Sequence, residues 1–178
     1  MMKQISDRQS IRNYINKPVD DDLILALVES AWNAPSGSNT KPWHFIIVKD
    51  PIIKEQIARV SHDQKWMLTA PVFIVCVSDI KSRITDNELV IDEESSQHEV
   101  KQIIRDTAIA IEHIVLEAIN NNLGTCWVSW FTQKEIRPIL NIPNNKYVVT
   151  ILAIGYHNEK PRNKNRKDIK EIIHINKW

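Results

Sequence analysis

Only three glycines occur in 178 residues, isolated at Gly37, Gly124 and Gly155, far below the average usage of roughly 7%. That scarcity excludes a whole class of ligand cradle. A P-loop needs a pair of glycines at fixed spacing and a dinucleotide fingerprint needs three close together, because only glycine lets backbone amides close around a pyrophosphate. Any nucleotide-like ligand of this chain must therefore be held by side chains.

With 43% hydrophobic and 25% charged residues, the composition is that of one globular domain, residues 1–178, with enough apolar surface for a proper core. The 23 basic and 22 acidic residues leave a net charge of +1, so no global field favours nucleic acid or an anionic membrane. Cys76 and Cys126 form no CxxC pair, and the scattered histidines give neither HExxH nor zinc-ligand spacing; the expectation is no metal and no disulfide scaffold. Charges within Met1–Ser10 and an apolar run of only Val72–Val77 argue against a signal peptide and a membrane span, and the expected location is the cytoplasm.

Apolar residues at Leu23, Ile24, Leu27, Val28 and Ala31 mark a helix from Asp20 to Asn33, with acidic residues in its first turn. His44–Lys49 reads as a strand, and Asp50-Pro51 opens a helix over Ile52–Val60. The unbroken apolar run Val72–Val77 reads as a central strand covered on both faces. Asp79–His98 turns polar and acidic and reads as a loop, with the character of a lid. Val100–Asn122 is the longest helical pattern, then come a strand-like Thr125–Phe131, a short helix Gln133–Leu140 and a β-branched strand Tyr147–Ile154. This interleaving points to an α/β class, arranged as an α+β sandwich with a central mixed sheet flanked by helices. Asn158–Trp178 is polar and basic, then ends with Ile172, Ile173, Ile175 and Trp178, an apolar end that calls for something to dock on.

Three segments carry candidate chemistry. Arg8-Gln9-Ser10-Ile11-Arg12 offers two guanidinium forks and a hydroxyl suited to phosphate oxygens, although on its own this segment reads more readily as a solvated helical face. Ala34–Trp43 holds two prolines, a glycine and a run of polar side chains before a tryptophan, more specification than a rigid turn needs. Thr125–Phe131, with Trp127, Trp130 and Phe131, reads equally as core or as a ligand wall. The basic tail Lys160–Lys170 accompanies it.

Taken in order, these segments resemble the nitroreductase family of flavin mononucleotide (FMN) enzymes. The resemblance rests on Arg8–Arg12, on Ala34-Pro35-Ser36 followed by Asn39 and Pro42-Trp43, on Ala70-Pro71, and on Gly124–Phe131 followed by Gly155-Tyr156 and the basic tail. It implies an intertwined homodimer with FMN at the subunit interface and residues 157–178 as an arm over the partner. It also implies that Arg8, Gln9 and Ser10 meet the phosphate and ribityl end, Arg12 the N1 and O2 edge of the ring, and Lys164 and Arg166 the phosphate. From the other subunit, Pro35, Ser36, Gly37 and Asn39 line the dimethylbenzene end. Ser129 and Trp130 lie along the N5 edge, through the Trp130 amide; relatives often have glycine at these positions, so Trp130 narrows the space for substrate. Asp63 and Gln64 stand where relatives often carry asparagine to bind ribityl and ring oxygens.

The implied activity is transfer of hydride from NAD(P)H through tightly bound FMN to nitroaromatics, quinones or other small aromatic acceptors, by a ping-pong scheme. No catalytic side chain is implied, since the flavin carries the chemistry. Other chemistries of the same fold, namely dehalogenase, azoline dehydrogenase and flavin-destroying enzyme, stand as alternatives. So does a non-catalytic dimer that binds flavin or a polyanion.

Overall fold

The computed structural model describes residues 1–79, 90–95 and 98–178. Its helices are α1 (Lys3–Asp7), α2 (Asp21–Trp32), α3 (Pro51–Val60), α4 (His98–Asn120) and α5 (Gln133–Ile139). Its strands are β1 (Trp43–Val48), β2 (Val72–Asp79), β3 (Gly124–Val128) and β4 (Lys146–Gly155), in the order β1-β2-β4-β3. The architecture is α+β. All three strand pairings are antiparallel. Against the expected mixed sheet, the parallel component among the described residues is a single bridge, Ser10 to Thr125, at the outer edge of β3.

Local chemistry explains the elements. Asp50 caps α3 by accepting from the amides of Ile52 at 2.8 Å and Ile53 at 3.0 Å, and Pro51 sits where a missing N–H costs nothing. Every residue of β2 from Val72 to Ser78 is buried, as the absence of alternation in its sequence requires. Its residues divide between two cores: Phe73, Val75 and Val77 face one, with α3, Trp66, Met67 and Ile136 of α5, and Val72, Ile74 and Cys76 face the other, with α2 and α4. Helix α4 is the main cover of that second face, burying Ala110, Ile111, Ile114, Val115 and Ala118.

One expectation needs correction. The strand expected over Thr125–Phe131 ends at Val128, because Phe131 turns back to pack in the α3 core rather than continuing the ladder. The loop expected over 79–98 lies largely outside the described residues; residues 90–95 are irregular as expected, with Val90, Glu93 and Glu94 exposed, and carry one buried contact. Ile91 is fully buried against Val100 and Ile103, its amide donates to the Asn144 carbonyl, and its own carbonyl accepts from the Arg137 guanidinium. A single apolar anchor pins this stretch to α5 and β4.

Candidate functional site

The arginine motif runs along the free edge of β3. Ser10 bridges Thr125, the Ile11 amide donates to the Thr125 carbonyl at 2.9 Å, and Ile11 is buried. The Tyr14 hydroxyl lies 2.9 Å from the Ile11 carbonyl and 2.8 Å from that of Ala153, locking the motif to β4. Burial drives the Tyr14 hydroxyl far above its ordinary pKa, so it remains a neutral donor. With Ile11 turned inward, Arg8, Ser10 and Arg12 gather near Cys126, whose thiol is raised by burial against the opposing pull of Arg12, the Ser10 hydrogen bond and Arg8. Arg8 also faces Glu112 of α4, whose carboxyl is raised by burial and held back by Arg8 and His113.

The basic tail is latched to this motif. Gln9 donates to the Lys160 carbonyl at 3.1 Å and accepts from the Arg162 amide at 2.9 Å, so both ends of its side chain are engaged within the chain. Glu159 accepts from the amides of Arg12 at 2.8 Å and Asn13 at 3.0 Å and pairs with the Arg162 guanidinium. Burial by itself raises this carboxyl, but the Arg12 amide and the Arg162 guanidinium outweigh it, and the net shift is downward. The latch thus keeps its charge to below the ordinary carboxylate range. Its stabilisation is complete above the unfolded pKa, roughly 4.3, and is lost as pH falls through the lower folded value. Glu159→Gln should flatten the acid limb of a pH–stability profile and weaken the latch at neutral pH by roughly 1–3 kcal/mol, read by urea denaturation between pH 3 and 7.

Lys164 donates to the Ser6 carbonyl, and Lys164 and Arg166 border a groove with Met1, Ile5 and Ser6. A neighbouring cleft of about 310 Å³ between Asp7, Gln9, Ile11, His157 and Glu159 has two carboxylates at its rim, which suits it poorly to an anion.

The loop after α3 reaches the same region. Arg12 stands over the Trp66 ring with its guanidinium carbon 5.7 Å from the centroid. The Trp66 indole N–H donates to Gln64 at 3.1 Å, and the Gln64 amide donates to the Ser61 carbonyl at 2.9 Å. Asp63 points to Lys65, 3.8 Å away, and is largely exposed. At the end of β3, Ser129 donates to the Val149 carbonyl at 3.2 Å, and Trp130 stacks on His62.

Pro35, Ser36, Gly37 and Asn39 are placed elsewhere. Their joint follows α2, on the α2–α4 face of the sheet where Ala34 and Trp43 are buried, whereas Ile11, Trp66, Met67 and Phe131 belong to the α3 face. The joint is held open and rigid: Ser38, Asn39 and Lys41 adopt left-handed backbone, with φ of 54°, 55° and 47°. Ser36 accepts from the Lys41 amide at 2.9 Å, and the Gly37 amide donates to Asp106 of α4 at 3.0 Å. Within one chain, Ile11 of the arginine motif thus packs into the α3-side core, and Ala34 and Trp43 flanking the joint pack into the α2–α4 core.

Sequence reading missed His62, Trp66, Asp106 and Glu159. Glu159 had a signal, an acid directly before a basic run; the others owe their placement to long-range packing.

Arg12 stands beside the flat ring of Trp66, with Arg8 and Ser10 gathered with it near Cys126, while Lys164 and Arg166 border the groove at Ser6; cations, a hydroxyl and a flat ring are the groups that suit a phosphate-bearing planar heteroaromatic. The chain belongs to the nitroreductase family, whose profile matches residues 5–156. A crystal structure of a nitroreductase family protein from Clostridium novyi is 31% identical with a TM-score of 0.74, over 99% of this chain and 93% of that one. An FMN-dependent nitroreductase from Clostridium difficile is 26% identical with a TM-score of 0.81, over 100% of each chain. A protein of Archaeoglobus fulgidus, provisionally named NADH dehydrogenase/NAD(P)H nitroreductase, is 27% identical over 99% of this chain and 98% of its own length.

Proposed function

We propose that this chain is an FMN-dependent NAD(P)H oxidoreductase that works as a homodimer and reduces small conjugated acceptors such as nitroaromatics and quinones by a ping-pong scheme. When bound, FMN supplies the two-electron chemistry, taking hydride from the nicotinamide and passing it to the acceptor. The observation that carries this reading is the division of the site. Ile11 of the arginine motif packs into the α3-side core and Ala34, at the head of the Pro35–Asn39 joint, into the α2–α4 core, and in this reading a second subunit brings its own joint to the motif. Residues 1–178 act as one domain, with 157–178 as the arm that crosses to the other subunit. No helix among the described residues is long and apolar enough to cross a membrane, and we place the protein in the cytoplasm.

In this reading Arg8, Gln9, Ser10, Lys164 and Arg166 bind the phosphate and ribityl chain, each charge-assisted bond contributing roughly 1.5–3 kcal/mol. Gln9 acts there by holding the tail in place. Asp63 and Gln64 flank the ribityl and ring oxygens. Ser129 and Trp130 flank the N5 edge, with the Trp130 amide as donor. Pro35, Ser36, Gly37 and Asn39 of the second subunit close the dimethylbenzene end and exclude water. Arg12 holds the negative charge that reduction places along the N1 and O2 edge.

The test is the visible spectrum of the purified protein before and after anaerobic NADH or NADPH. Flavin bands that bleach with either donor are expected; a colourless protein that takes up no added FMN counts against the assignment. Arg12→Met should lower the midpoint potential by roughly 30–60 mV, one to two tenfold steps of a two-electron couple. An unchanged potential in a spectroelectrochemical titration removes Arg12 from the ring edge.

A further inference from the structure

His62 and Trp130 stack with centroids 3.7 Å apart and planes 24° apart. They come from separate loops, one after α3 and one after β3, and Trp130 keeps 65% of its surface exposed. Two exposed rings held face to face form a wall rather than part of a core.

The wall is braced. His62 and Asp63 are both left-handed, with φ of 59° and 51°, a region in which residues with side chains persist only when their surroundings dictate it. Here the surroundings do. The Asp63 amide donates to the Arg59 carbonyl at 3.1 Å and the Gln64 amide to that of Ala58 at 3.2 Å, tying the turn to the end of α3. Beyond the turn, Gln64 holds the Trp66 ring against which Arg12 rests. The same short loop thus supports a ring beside Arg12 at one end and a ring on Trp130 at the other.

We propose that the stacked His62–Trp130 pair is the acceptor-specificity element of this site: it admits single-ring planar electrophiles and turns away fused polycyclic ones. This rests on the reading that FMN occupies the cleft. The pair stands at the N5 edge assigned to Ser129 and Trp130, where an acceptor must stack to receive hydride. The outer rings of a fused acceptor need the surface that the stacked pair occupies, and to yield it His62 must unstack from a turn whose backbone is already tied down.

The experiment uses full-length protein with FMN, reduced anaerobically with dithionite so that no nicotinamide step intervenes, then mixed in a stopped-flow with p-benzoquinone or phenanthrenequinone. His62→Asn removes the ring and tolerates left-handed backbone, and His62→Gly does so with no steric demand at all if the asparagine variant folds poorly. His62→Phe restores a stacking ring. The ratio of the phenanthrenequinone to the p-benzoquinone rate constant should rise at least tenfold in the asparagine or glycine variant and return towards wild type with phenylalanine. Comparing ratios cancels the difference in driving force between the quinones. A ratio that stays within twofold of wild type in His62→Asn and His62→Gly overturns the proposal. FMN-loaded wild type that reoxidises with neither quinone overturns the functional reading, and the proposal with it.

Discussion

Replacing Gly124 with alanine is expected to destabilise the fold by about 2–3 kcal/mol and to weaken FMN binding at the same time. A Cβ at this position would lie 2.5 Å from His157 Cδ2, 2.5 Å from Ile11 Cγ1 and 2.9 Å from Ile11 Cβ. The backbone there is ordinary, with no glycine at positive φ, so space and not conformation requires the glycine. Ile11 cannot step aside cheaply, since it is buried and its amide is bonded to Thr125 within the same bridge. Displacing it shifts Ser10 and Arg12 as well. Urea denaturation reports the first effect and flavin fluorescence titration the second; a variant with wild-type midpoint and wild-type affinity would show that the motif is not held by this contact. Gly155, paired with Gly124 in the β3–β4 register, is closed off in the same way by Pro71 and Tyr14. Two of the three glycines thus stand where the arginine motif and the entry to β2 press on the sheet.

The second large effect is expected from deleting residues 168–178, which leaves Lys164 and Arg166 in place. In one chain Ile169, Ile172, Ile173, Ile175 and Trp178 lie exposed, Ile175 at 82% and Trp178 at 101%. Burying a side chain of this size stabilises by roughly 1.5–3 kcal/mol, and ordering an otherwise loose arm offsets part of the sum. A net contribution of about 4 kcal/mol corresponds to roughly a thousandfold in dimer Kd. If the proposed dimer and shared site hold, sedimentation across a concentration series should show the shortened chain dissociating at concentrations where the full chain is dimeric, with FMN affinity falling in parallel. An unchanged dimer constant would mean that the arm docks elsewhere.

Much of this was legible in the residues. The continuous apolar run of β2, the Asp50-Pro51 start of α3 and the apolar stripe of α4 each follow from burial or capping at a fixed period, and each appears within a few residues of its expected bounds. The exceptions are local failures of that logic. Phe131 looked like a strand residue because aromatic character alone does not say which core a ring enters. Ile91, the last of the apolar trio Leu89-Val90-Ile91 within an acidic stretch, became an anchor because a pocket against Val100 and Ile103 awaited it.

For the site, the sequence by itself determined the chemistry of recognition: too few glycines for a backbone phosphate loop, hence cations and hydroxyls on side chains, in an order that resembles one family. Only the tertiary structure decided the geometry. It laid the arginine motif on the edge of β3, latched the tail through Gln9 and Glu159, brought His62 onto Trp130, and packed the Pro35–Asn39 joint beside the α2–α4 core. The physical reason is one of range. Residue type and spacing govern capping, periodicity and charge over a few positions, whereas these contacts join segments distant in the chain, and the packing of two cores on either side of one sheet selects them.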